Sequence, residues 1–475
     1  MDQHATAFKP SLRLIDATMI VAGSMIGSGI FIVSTDIVRN VGSAGWLIVV
    51  WVISGLMTVV AAVSYGEMSG MFPKAGGQYI YLKEAFNPLF GFLYGWSSFT
   101  VIQTATIAAV GVAFSRFTAY IIPGVGENVF LFSIGNFHIS AAQLLAIGMI
   151  LFLTYTNTRG INGGKIIQTT FTSVKLLSLF GLIILGFVLV KHSFWNENWQ
   201  TGFQAVQLEK SAGAFVKHGN WFPISGTILI GAIAASMVGS LFSSDAWNNV
   251  TFIAAEIKNP KRNIGLSLLF GTLTVCIIYI VTNLMYLNVM PLKEIAFPGG
   301  DRVAVAASNA IFGNAGAVII AVMIMVSTFG CNNGLILAGA RVYYTMANDG
   351  LFFKKAGLLN KNAVPARALW AQAIVASILC LSGGYNDLLD MIAFVVVIFY
   401  VLTIIGIFVL RKTHPDLERP YKAYGYPFLP ALYIFLGCAF CIFLIIFKPL
   451  YTLWGLGIVL AGIPVYFIAI HNHKK

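Results

Sequence analysis

The sequence predicts an all-α membrane protein, built as one embedded domain of about twelve spanning helices. Three observations lead there. The 475-residue chain is 58% hydrophobic and 10% charged, with a mean hydropathy of +0.83, more apolar surface than a water-soluble core of this size can hide. Apolar runs of ~20 residues, each long enough to cross the hydrocarbon layer, recur down the chain. Finally, the basic residues gather in alternate loops.

The runs fall near residues 14–38, 44–70, 89–122, 139–156, 166–190, 224–255, 264–290, 315–346, 366–383, 388–410, 428–447 and 451–470. The N-terminal stretch "MDQHATAFKPSLRLIDA" has mixed charge and no small-residue cleavage site after a short apolar stretch, so no removable leader is expected. The longest polar gap, residues 192–223, is too short for an independent domain. With the N-terminus inside, the inner segments collect 20 of the 29 Lys and Arg residues and the outer ones 7, leaving Arg116 and Lys175 within spans. That bias expects both termini in the cytoplasm and the chain in a plasma (inner) membrane.

Topology therefore explains the net charge of +12, and the scattering of these charges over short loops excludes a nucleic-acid face. Five cysteines all lie in apolar runs. Cys438 and Cys441 form C-x-x-C without a second ligand pair, so they read as small hydrophobes rather than a metal or redox site. No metal and no cofactor is expected. There is no G-x-x-x-x-G-K-[ST] phosphate loop, which argues against an ATP-driven pump.

Two spans are interrupted. The first, "IVAGSMIGSGIFIV", places Gly27, Ser28 and Gly29 after Gly23; the sixth, "GSLFSSDAWNNVTFIAAEIKNPKRN", runs into Ser243, Ser244 and Asp245 before resuming. Each interior glycine costs a helix about 1 kcal/mol relative to alanine. Alone, Gly23-x-x-x-Gly27 also fits a helix-packing motif. Its pairing with a polar break at the equivalent place of a second five-span half favours a midplane site in an inverted-repeat transporter.

The physical basis is backbone chemistry. Unwinding at mid-membrane frees N–H and C=O groups that lipid cannot satisfy. A half-helix that restarts offers N–H donors and a positive dipole end, and one that stops offers carbonyls and a negative end. A zwitterionic amino acid complements both. Its carboxylate would sit on the N–H groups of Ser28, Gly29 and Ile30. Its ammonium would take carbonyls of Met25 and of the span 6 break near Phe242, Ser243 and Asp245. Ile26 and Asn249 flank these groups and complete the candidate substrate-binding set.

"GSMIGSGIF", "EMSGMFPKAGGQYIYLKEAF" and "DAWNNVTFIAAEIKNPKRNI" together resemble the amino acid–polyamine–organocation transporters, and among them bacterial relatives of the L-amino acid exchangers. The likeness runs over nearly the whole chain. It implies a LeuT-type fold with two inverted five-helix repeats, here 14–190 and 224–410, and two further helices in 428–470. It also implies that amides of Gly27, Ser28 and Gly29 hold the carboxylate, that carbonyls of Met25, Phe242 and Asp245 hold the amino group, and that Phe242 is an aromatic gate.

Two charged residues inside spans carry weight, because charge in a membrane is costly and usually functional. Lys175 lies about ten residues past the cytoplasmic start of span 5, hence ~15 Å deep at 1.5 Å per residue, at the limit of snorkelling. The resemblance implies that its ammonium replaces a sodium ion, bridging span 1 carbonyls and span 8 groups at Ser327 and Thr328. Asp245 has two readings: a cap on the restarting half-helix, favoured by the Trp247, Asn248, Asn249 run, or a partner for a cationic substrate.

Other polar residues carry less. Asn332 and Asn333 either line the pathway or bond between helices. Glu67 and Glu256 read as loop ion pairs or caps, Arg116 as a snorkelling side chain, and the Trp and Tyr near span ends as interface anchors. An enzyme would need converging titratable groups, and none is legible; a channel would need a repeated filter or charged ring. The expectation is a secondary amino acid transporter, an exchanger of neutral L-amino acids by alternating access. Proton symport and cationic amino acid or polyamine transport remain as alternatives. Some animal relatives need a single-span companion subunit, but no outer-loop cysteine is present to link one, and no required protein partner is expected.

Overall fold

The computed structural model describes residues 10–134, 137–211, 214–217, 219–382 and 385–473. The expectation about a leader rests largely on residues 1–9, and Lys9, Lys474 and Lys475 likewise lie outside the described residues.

The chain opens with α1 (Leu14–Met25), a single 3-10 turn at Gly29–Phe31 and α2 (Ser34–Val41). α3 (Ala44–Met71) follows behind a Ser43 cap that accepts the Trp46 N–H at 3.2 Å. After α4 (Gln78–Ala85) comes α5 (Pro88–Ser97), where proline at the first helical position and an Asn87 side chain accepting the Leu89 N–H at 2.9 Å fix the start. A π-turn at Ser98–Ile102 joins α5 to α6 (Gln103–Ile121). α7 (Ala141–Thr158) begins in a Ser140/Gln143 capping box, and α8 (Ile161–Val188) and the short α9 (Trp195–Gln200) follow.

The second half repeats the interruption. α10 (Gly226–Ser243) stops, α11 (Asn249–Phe252) restarts for one turn, and α12 (Pro260–Val289) follows. Then come α13 (Leu292–Ala296), α14 (Val303–Asn348) with a kink at Gly313, φ 72°, α15 (Ala366–Ser382), α16 (Tyr385–Thr413), α17 (Phe428–Phe447) and α18 (Pro449–His473). α12 packs along α3 and α1, and α14 along α6 and α8. α1 thus lies between α12, α8 and α14, and Gly23 within it is buried.

Among the described residues, ten helical stretches are long and apolar enough to cross a membrane, and two apolar helices, Leu14–Met25 and Ala366–Leu381, are shorter. The interrupted first span accounts for one of the short pair, because the break leaves only twelve residues in its first helix. The chain is not purely helical. Among the described residues its loops hold three antiparallel two-stranded ladders: β1 (Phe130–Ile134) with β2 (Phe137–Ser140), β3 (Val206–Leu208) with β6 (Trp221–Pro223), and β4 (Lys210–Ser211) with β5 (Ala214–Phe215). Folding the 192–223 gap onto itself pairs backbone groups that a plain loop would leave to water.

Candidate functional site

Met25 ends α1, and Ile26 leaves helical geometry at ψ 83°. The Gly27 N–H turns back to the Met25 carbonyl at 2.8 Å, while the N–H groups of Ile32 and Val33 both donate to the Gly29 carbonyl at 3.0 and 2.8 Å. Among the described residues, no acceptor takes the N–H groups of Gly29 or Ile30. The break in span 1 therefore presents donors at the start of its second helical segment, and every residue from Ala22 to Val33 is buried.

At the second break the Ser244 N–H donates to carbonyls of Ser240 and Leu241, each at 3.1 Å, and the Asp245 N–H to Phe242 at 3.2 Å. Ala246 then takes φ 63°, a left-handed conformation that costs a side-chain-bearing residue about 1–3 kcal/mol and persists only where its surroundings impose it. The two breaks touch. A Cβ on Gly29 would lie 2.9 Å from the Ser243 Cα and 2.0 Å from its Oγ, so only glycine fits. The Ser243 hydroxyl is occupied at home, donating to the Gly239 carbonyl at 2.7 Å.

A tyrosine joins the two breaks. The Tyr279 hydroxyl of α12 lies 2.9 Å from the Met25 carbonyl and 3.1 Å from that of Ser243. Four residues on, the Asn283 amide oxygen accepts the Ser34 hydroxyl at 2.6 Å, and three further on the Tyr286 hydroxyl donates to the Ile30 carbonyl at 3.2 Å. Positions 279, 283 and 286 share one helical face, so α12 presents a polar rail that holds span 1 on both sides of its break. Reading tyrosines as interface anchors missed this. The signal was in "YIVTNLMY", whose polar residues recur at helical spacing inside an apolar run.

The Lys175 ammonium, 1% exposed, donates to the carbonyls of Gly23 at 2.6 Å and Ile26 at 2.9 Å. Ser327 donates to the same Ile26 carbonyl at 3.3 Å, and Cys331 approaches that of Ser24 at 3.2 Å. Lys175, Ser327 and the end of α1 are thus brought together. Thr328 is not part of the group, because its hydroxyl bonds within α14 to Ile324 at 2.9 Å and Met325 at 3.0 Å.

The Asp245 carboxylate accepts the Tyr400 hydroxyl of α16, and no side chain caps α11. Capping the restarting helix is therefore not its role. Two cavities meet at this pair. One is mostly apolar and lined by Phe242, Trp247, Val397 and Tyr433 among others; the second is lined by Gln78, Gln103, Thr106, Asn248 and Asn249. Asp245, Val396 and Tyr400 line both. Among the described residues, the buried Asn249 Nδ2 beside the second cavity has no partner. Gly27, Ser28 and Gly29 line neither. Trp247 and Tyr65 pack on Tyr400 with ring centroids 5.0 and 5.6 Å away.

Glu67 and Glu256, read as loop ion pairs or caps, both form ion pairs, and both are buried. Glu67, wholly buried, accepts from Arg411 at 2.6 and 2.9 Å and from the Ala423 N–H at 2.8 Å. Glu256 pairs with Arg341 at 3.2 Å, both buried. Arg116, expected to snorkel, pairs with Glu127 at 2.9 Å. Asn333 joins Asn157 at 2.8 Å, and Asn332 donates to Ile107 at 3.1 Å, so both bond between helices.

A family model described as amino acid permease matches residues 12–455. The chain is 28% identical over 476 residues to the b(0,+)-type amino acid transporter 1 of Mus musculus, covering 98% of this chain and 89% of that protein. It is also 28% identical over 470 residues to the large neutral amino acids transporter small subunit 2 of Oryctolagus cuniculus, covering 99% and 82%. The latter corrects one expectation. A small subunit is by its name one part of a larger assembly, so the expectation that no protein partner is required does not stand. It rested on missing outer-loop cysteines, and subunits also associate without a covalent link.

Proposed function

The chain belongs to the amino acid permease family, membrane transporters rather than enzymes, and on that footing we propose that it is a secondary active exchanger of neutral L-amino acids working by alternating access. The observation that carries this reading is the contact between the breaks, where Gly29 abuts Ser243 and one Tyr279 hydroxyl reaches carbonyls of both. Two half-helices ending in opposed dipoles form a receptor for a zwitterion. In this reading the amides around Gly27, Ser28, Gly29 and Ile30 hold the carboxylate. Carbonyls of Met25, Phe242 and Asp245 receive the ammonium, beside the Tyr279 hydroxyl that positions the Met25 and Ser243 ends, while Ile26, Ser243 and Asn249 shape the surroundings.

The reading extends to the whole architecture. The ten long stretches and two shorter helices become twelve spans in a LeuT-type arrangement, with inverted repeats at 14–190 and 224–410, two further helices in 428–470, and both termini cytoplasmic in the plasma membrane. Lys175, with Ser327, supplies a fixed positive charge at the end of α1, where a carrier without sodium needs one, and this favours exchange over ion-driven uptake. Thr328 supports that group only through its own helix. The mostly apolar cavity beside Phe242 suits neutral side chains.

The test is uptake by the purified protein in liposomes, using a panel of amino acids with and without internal amino acid and with and without a pH gradient. Uptake that requires internal amino acid and ignores the gradient supports exchange. Uptake that follows the gradient into empty liposomes replaces it with proton symport.

A further inference from the structure

We propose that the groove between the second half of α5 and its following π-turn, the end of α14 and the end of α18 binds the acyl chain of an anionic phospholipid, with Lys354 and Lys355 receiving its phosphate. The groove has a volume of about 380 Å³ and is lined by Phe92, Trp96, Phe99, Met346 and Phe352, with Lys354 among its lining residues. Its polar edges are already satisfied. The Trp96 indole N–H donates to the Ile458 carbonyl at 2.8 Å, and the Tyr343 hydroxyl behind Phe99 donates to Ser98 at 3.2 Å. A polar ligand would find no partner inside, whereas hydrocarbon needs none.

Charge decides the headgroup. Residues 351–367 carry Lys354, Lys355, Lys361 and Arg367 and no acidic residue. Asp349, just before them, is committed to Lys83 at 2.7 Å and to the Tyr79 hydroxyl at 2.7 Å. Lys354 and Lys355 are exposed and, among the described residues, pair with no carboxylate. Phe353 beside them is 69% exposed, which suits an aromatic at the level of lipid headgroups. A basic rim over an apolar slot selects a lipid with net negative charge.

The position gives the site a consequence. Phe99 and Ile102 belong to the same π-turn, Ser98–Ile102. Phe99 faces the lipid groove, and Ile102 lines the polar cavity at Asp245. Single π-turns inside helices frequently mark functional places. A chain seated against Phe99 therefore bears on the wall of the candidate substrate site.

Native mass spectrometry of the purified chain with phosphatidylglycerol or phosphatidylcholine tests the binding, on the parent, on a Lys354→Gln, Lys355→Gln double variant, and on Ala469→Trp, which fills the groove mouth. All three are checked for an unchanged melting temperature. The parent is expected to retain phosphatidylglycerol roughly tenfold better, the double variant to lose that preference while still holding lipid, and Ala469→Trp to lose both. Equal retention of the two lipids by the parent, or a preference that survives the double substitution, overturns the proposal. This outcome is independent of whether the chain is an exchanger.

Discussion

The Tyr279 hydroxyl stands 2.9 Å from the carbonyl of Met25 and 3.1 Å from that of Ser243, so one proton serves the ends of two half-helices. Tyr279→Phe keeps the edge contact with Trp51, at 5.4 Å between ring centroids, and removes only the donor. A buried carbonyl deprived of its partner costs about 1–3 kcal/mol. The expected outcome is a folded protein with a lower melting temperature and a raised KM for amino acids. An unchanged KM would show that the hydroxyl only secures the helices.

Gly29→Ala is expected to reduce exchange at least tenfold, since its Cβ would meet the Ser243 backbone at 2.9 Å and overpacking of this kind costs about 1–3 kcal/mol. Gly181, with nothing within 4 Å of an added Cβ, is the control. Gly181→Ala should transport as the parent does. Parallel initial rates with matched protein amounts make the comparison, and full activity of Gly29→Ala would remove the close approach of the two breaks from the site.

For Lys175→Ala, the carbonyls of Gly23 and Ile26 lose donors at 2.6 and 2.9 Å, and counterflow is expected to fall by at least tenfold while the protein still elutes as one species. Wild-type rates would mean that the ammonium is merely accommodated there.

The Asp245 carboxylate accepts from Tyr400, and an asparagine can accept the same hydroxyl. Asp245→Asn should therefore leave neutral amino acid exchange close to the parent rate, whereas Tyr400→Phe removes the side-chain donor from a buried carboxylate and should lower it. Uptake of leucine and arginine measured side by side reads both effects. A loss confined to arginine in Asp245→Asn would make the carboxylate a partner for cationic substrates instead.

Glu256 and Arg341 are buried together, and the Glu256 carbonyl also receives the N–H groups of Ser11 and Leu12 at 2.8 and 3.0 Å. Arg341→Ala leaves an unpaired buried carboxylate, a loss of about 3–5 kcal/mol. A Glu256→Gln, Arg341→Met double variant should recover much of the melting temperature lost in the single one. If the two variants melt together, the charge pair is not what holds this end of the bundle.

The interruptions were legible because they are local: glycines and serines in an apolar run break a helix wherever it packs. The weight on Lys175 was legible from its depth in an apolar run, whereas its carbonyl partners at the end of α1 came only with the family resemblance. Tyr279 and Tyr400 were not legible, because their meaning lies in which face of α12 and α16 turns toward the breaks, and that register comes from packing with other helices. The same holds for Thr328, whose position on α14 resembles that of Ser327 but whose hydroxyl turns to its own helix. The ladders in 192–223 depend on pairing between segments with no strong alternation of their own.

The most direct test of the central claim, that backbone groups at the two breaks recognise the zwitterion, is competition in counterflow between a neutral L-amino acid and its own N-acetyl and carboxamide derivatives. Blocking either charged end removes one half of the complementarity while leaving the side chain intact. The expected result is that the free amino acid competes and both derivatives fail. Equal competition by either derivative would contradict recognition through the backbone of Gly29 and Met25.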